Sequence, residues 1–131
     1  MNQSEFEIQL MGKLLCGNDP VLEGLRHQYD NSTLESRKFT GVGFFTHFKV
    51  NVSILPVASG KTFQIGDVDA HVDNIVDAIG FVLFVEKGYL STLEGYTLLA
   101  DKWPNDYSKV ALFYDGPDGK RDFEKLKSNW E

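Results

Sequence analysis

The sequence predicts an α+β fold: an antiparallel sheet of about six strands, two N-terminal helices packed on one face of it, and a short C-terminal helix. Three observations carry this reading. Apolar residues recur at helical spacing between Phe6 and Tyr29, and again from Phe123 to Trp130. Between Thr33 and Tyr114 the period falls to two, as in strands with one buried face. Within that region Phe81–Val85 is an uninterrupted apolar run of strand length, followed at once by a Gly-containing turn and a returning segment.

The elements follow in order. Ser4-Glu5-Phe6-Glu7 has the form of a capping box, with Ser4 accepting from a first-turn amide and Glu7 reaching back. Phe6, Leu10 and Leu14, flanked by Met11 and Leu15, give the first helix its apolar face, and Gly17 suits the left-handed position past its end. Asp19 and Pro20 fit the N-cap and first position of a second helix, whose buried stripe is Val21, Leu22, Leu25 and Tyr29. Asp30-Asn31-Ser32 ends it. Thr33 to Phe39 reads as a strand and Thr40–Gly43 as a bend or bulge; in the next strand Phe44, Phe48, Val50 and Val52 point one way, and His47, Lys49 and Asn51 the other.

Pro56 and Gly60 interrupt the pattern, so Thr62–Ile65 is expected at an edge. Asp67–Asp73 alternates acidic or imidazole side chains with Val68, Ala70 and Val72, and a helical turn is expected over 73–79. Phe81–Val85 is read as a central strand, with Glu86-Lys87-Gly88 as a three-residue bulged turn. That register sets Val85 opposite Tyr89, Leu83 opposite Ser91 and Phe81 opposite Leu93; Val82, Phe84, Leu90, Thr92 and Glu94 share the other face. A two-residue turn would shift the pairing by one. After a loop at 100–106, where Pro104 keeps Trp103 extended, come a last strand at Val110–Tyr114, a turn at Asp115–Gly119, and a helix capped by Asp122 with Phe123, Leu126 and Trp130 at helical spacing.

A chain of 131 residues with 42% hydrophobic and 24% charged content reads as one globular domain, 1–131, with no linker long enough to divide it. Cys16 is its one cysteine, which excludes an intramolecular disulfide and points to a reducing compartment. The segment MNQSEFEIQL has neither the basic nor the apolar region of a secretion signal, and no apolar run reaches transmembrane length. A cytoplasmic protein is expected. Thirteen basic against nineteen acidic residues leave a net charge of -6 without a basic cluster, which argues against nucleic acid and anionic membranes as partners.

The stretches TGVGFFT (Thr40–Thr46), GFVLF (Gly80–Phe84), LEGYT (Leu93–Thr97) and Trp103-Pro104 resemble a group of small bacterial proteins of unassigned function. The resemblance runs from about Val21 to Trp103. It implies a bacterial cytosolic origin and carries no chemistry with it.

Candidate sites are therefore read from the residues. Asp67, Asp69, His71 and Asp73 are metal-ligand types at alternate positions. Neighbours on one strand face stand roughly 7 Å apart, too far for all four to share one ion without a bend, so a solvated strand face is the preferred reading and no metal or cofactor is assigned. Glu94 lies in the returning strand beside Leu93 and Gly95, where burial would raise its pKa unless Arg37, His47 or a backbone amide pairs it. No Gly-x-Ser-x-Gly elbow, dinucleotide fingerprint or P-loop occurs, and Cys16 is expected to be buried and inert on the first helix. Tyr89, Tyr96, Trp103 and Tyr107 are expected near one end of the hairpin, as aromatic groups with a polar end suited to binding. The sequence thus points to a non-enzymatic binding or interaction module with a protein partner, using Glu94, Tyr96, Trp103, Arg37 and His47. A small hydrolase or isomerase using Glu94 with His47 or Arg37 is the alternative.

Overall fold

Helical periodicity at the start of the chain becomes α1 (Gln3–Leu14) and α2 (Pro20–Asp30), in a computed structural model that describes residues 1–73, 79–99 and 101–131. Strands β1 (Thr33–Phe39), β2 (Gly43–Lys49), β3 (Phe63–Ile65), β4 (Val68–Val72), β5 (Ile79–Glu86), β6 (Tyr89–Thr97) and β7 (Val110–Tyr114) follow, then α3 (Phe123–Lys127). The strands make one antiparallel sheet in the order β1-β2-β6-β5-β4-β7, with β3 also paired to β5. β3 runs along Leu83–Val85 and β4 along Ile79–Gly80, so two short strands share one edge of β5. Among the described residues the sheet is therefore seven-stranded but six strands wide. The helical turn expected over 73–79 falls on residues outside those described.

Alternation sorts the sheet into two faces. Phe44, Phe81, Leu83, Leu93 and Ala70 point inward, where they meet Phe6, Leu10 and Leu14 of α1 and Leu22 and Leu25 of α2 in one core. From α3 and its end, Leu126 and Trp130 close that core, with the indole tilted on Phe63 at 5.3 Å. No helix among the described residues is long and apolar enough to cross a membrane.

The hairpin that centres the sheet differs from its expected register. Lys87 (φ 51°) and Gly88 (φ 80°) are both left-handed, so the turn has two residues and Glu86 pairs with Tyr89. Val85 then pairs with Leu90, whereas Phe84 pairs with Thr92, so Ser91 is the extra residue of a β-bulge. Two compensating irregularities result. The two-residue turn places Leu90 on the core side, contrary to expectation, and the bulge restores the alternation beyond it, so that Leu93 still points inward and Thr92 and Glu94 outward.

Gln28 of α2, fully buried, secures this region. Its Oε1 accepts from the Leu90 amide (2.9 Å), and its Nε2 donates to the carbonyls of Gly88 (2.9 Å) and Leu55 (3.3 Å).

Both ends of α1 also depart from the sequence reading. Asn2, not Ser4, is the N-cap: its side chain accepts from the Glu5 amide (2.8 Å) and Glu5 returns the bond, which leaves Glu7 free to turn inward. The helix stops at Leu14, and its end is closed by two guanidinium groups rather than by Gly17. Arg121 donates to the carbonyls of Leu14 (2.6 Å) and Cys16 (2.7 Å) and pairs with Asp67 (2.8 Å), while Arg26 holds those of Leu15 and Gly17. Cations at a helix C-terminus are favourable to its dipole. Cys16 lies past the helix and is exposed, and Val52 lies beyond β2 and is 80% exposed, so neither is core.

Replacing Gln28 by Met keeps the volume but strands the buried Leu90 amide. The expected cost is about 2 to 3 kcal/mol in urea-unfolding free energy with an unchanged m-value.

Candidate functional site

The face of the sheet turned away from the helices carries the polar groups that the core does not use. β6 supplies Thr92, Glu94 and Tyr96, β2 supplies Phe45 and His47, and β5 supplies Val82 and Phe84; all are half-buried. Asp69 and His71 of β4 and Phe113 of β7 continue the same face. The helices contribute their buried side chains to the opposite side. Among the described residues this outer face has no helix over it.

Glu94 sits at its middle, between Phe45 on one side and Val82 on the other. Its carboxylate makes no hydrogen bond or ion pair among the described residues, and burial pushes its pKa up. Tyr96, two residues on, lies across Gly80: a Cβ there would be 2.5 Å from both Cζ and the hydroxyl oxygen. Gly80 is opposite Tyr96 on one side and Asp69 on the other, so its missing side chain lets the phenol reach from β6 over β5 toward β4. Burial, then the charges of Asp69 and Glu94, raise the pKa of Tyr96. Asp69 is raised in turn by burial and by Asp115 and Asp67, against a smaller opposing effect of His71. Three oxygen-bearing groups thus converge on an apolar strip without a guanidinium or ammonium group among them.

His47 shares this face and lies diagonal to Glu94, but its Nδ1 is 3.0 Å from Thr92 Oγ1. His71 stacks on Phe113, with centroids 4.4 Å apart and planes at 18°. The metal-ligand pattern does not converge: Asp67 is paired with Arg121, and Asp73 lies at the exposed end of β4. No group of three His, Cys, Asp or Glu side chains that could hold a metal ion occurs among the described residues.

Arg37 and Trp103, grouped with Glu94 by the sequence, lie on the other side of the sheet. Arg37 pairs with Glu7 through two parallel bonds, Nε to Oε2 (2.9 Å) and Nη2 to Oε1 (3.0 Å). Trp103 packs edge-on against Phe44 (5.4 Å) and Phe81 (6.2 Å), and its Nε1 donates to the Tyr107 hydroxyl (3.0 Å). That hydroxyl donates to Gln3, whose Nε2 donates to Glu7 (2.7 Å). Trp103 is therefore part of the packing, and the four aromatic residues do not form one cluster. Tyr89 is at the turn end, bonded to the Ile54 carbonyl at 2.8 Å.

The sequence reading did not join Asp69 to Tyr96 and Glu94. Gly80, a glycine beside the most apolar strand, was the available signal.

A raised carboxylate pKa means that the folded chain holds its proton more tightly than the unfolded chain. Ionisation of Glu94 therefore opposes folding as pH rises from the usual value of about 4.3 through the raised one, and has no effect below both. Glu94→Gln should raise Tm at pH 7, and the gain should disappear on acidification below pH 4; an equal Tm difference at both pH values would contradict the assignment. Compared with protein-family models, curated proteins and solved structures, the chain matches none.

Proposed function

We propose that this chain is a non-enzymatic binding module, whose outer sheet face receives a protein partner through one or more Arg or Lys side chains. The single observation behind the reading is Glu94: a half-buried carboxylate in mid-sheet with no cation beside it among the described residues. A carboxylate left in such a place lowers stability, and an arriving cation removes the cost. Tyr96 adds an aromatic face and Asp69 a second carboxylate, a set suited to guanidinium, while Phe45, Val82 and Phe84 supply apolar area around it. The net charge of -6 favours encounter with a basic partner over a second copy of the chain. Catalytic use of Glu94 with His47 is less well supported, because the imidazole is oriented toward Thr92.

Calorimetric titration with a synthetic peptide of alternating Arg and Thr, against the same peptide with Gln for Arg, tests the reading. The Arg peptide should bind, and Asp69→Asn with Glu94→Gln should weaken it about tenfold or more at low salt. Tyr96→Ala should weaken it too, with the fold retained. Binding should fall as pH is lowered through the raised pKa of Glu94, since protonation removes the charge that the cation needs. Equal affinity for both peptides, or dimerisation in place of peptide binding, would overturn the proposal.

A further inference from the structure

On the opposite side of the sheet, α1, α2 and the β1–β2 pair line an open cleft of about 250 Å³. Glu7, Arg37 and Thr46 form its floor, Tyr29 and Phe48 a wall, and Ile8 and Leu34 an apolar rim that is 62% and 53% exposed.

The floor is polar but unevenly satisfied. Glu7 already accepts from Gln3 Nε2 (2.7 Å), Thr46 Oγ1 (2.8 Å), and Arg37 Nε and Nη2. Arg37 Nη1, by contrast, has no partner among the described residues. Neither has the Tyr29 hydroxyl, whose ring is held edge-on by Phe48 at 5.8 Å. Every buried side-chain nitrogen or oxygen that is described has a partner, so these two unpartnered atoms are open to solvent. The cleft thus presents free donors beside a carboxylate that already accepts four hydrogen bonds, three of them on Oε2. A ligand must bring the acceptor, and the unused edge of a guanidinium is shaped for a carboxylate.

We infer that this cleft binds a small monocarboxylate with a compact apolar body, its oxygens on Arg37 Nη1 and Tyr29 OH and its body between Ile8, Leu34 and Phe48. Glu7 offsets the charge of Arg37, so the affinity is modest, with Kd on the order of 1 mM. The site is independent of the outer face.

Titrations followed by amide NMR, with benzoate and benzylammonium as probes, decide it. Benzoate should give saturable shifts at Tyr29, Leu34 and Arg37, and benzylammonium should not. Arg37→Gln also deprives Glu7 of its partner, so Tyr29→Phe is the informative variant: it should weaken benzoate about 3- to 10-fold, one hydrogen bond's worth, without lowering Tm. Glu94→Gln, on the far face, should leave benzoate affinity unchanged. Equal shifts from both probes, shifts away from the cleft, or an unchanged Kd in Tyr29→Phe would overturn the inference.

Discussion

A single buried carboxylate, Glu7, organises much of this molecule. It is 4% exposed and receives donors from its own helix, from β1 and from β2, so α1 is tied to the edge half of the sheet by charge-assisted hydrogen bonds. Through Gln3 and Tyr107 the same network reaches Trp103 and the loop before β7. Removing one partner from such a pair costs roughly 3 to 5 kcal/mol, because the other charge stays buried. Arg37 is held on the helix side with Glu7, and among the described residues no arginine pairs with Glu94 on the outer side.

The sheet separates these two electrostatic environments because side chains alternate along every strand. Arg37 and Thr46 are cross-strand partners on the helix side, and Phe45 and Glu94 are partners on the outer side. What places Glu94 outward is the hairpin: a two-residue turn alone would have put it inward, and the bulge at Ser91 restores the alternation. Gln28 compensates locally, holding the Leu90 amide beside that bulge. A local irregularity in the best strand pair thus decides which face carries the uncompensated charge.

How much of this was legible follows from the range of each interaction. The strands β1 and β7 and the cap at Asp19 could be read with their bounds, since alternation and capping chemistry act over a few residues. The bulge was not legible, because Ser91 looks like any exposed strand residue. Glu7 was read as a capping partner of Ser4, a local role that is plausible until Asn2 proves to be the cap and the Glu7 side chain turns toward a strand thirty residues on. Arg121 closing α1 from across the chain is the same kind of case. At the site, the partial burial of Glu94 was legible from its apolar neighbours, whereas the assignment of Arg37 and Trp103 to the opposite face needed the fold.

The central claim is that Glu94 is half-buried with no cation beside it among the described residues, and that the proposed partner would bring one. Its carboxyl carbon can be titrated by NMR, alone and with the Arg-containing peptide bound. The account predicts a pKa above the usual carboxylate range in the free chain that drops on binding. A value at or below that range in the free chain, or one unmoved by the bound peptide, would contradict it.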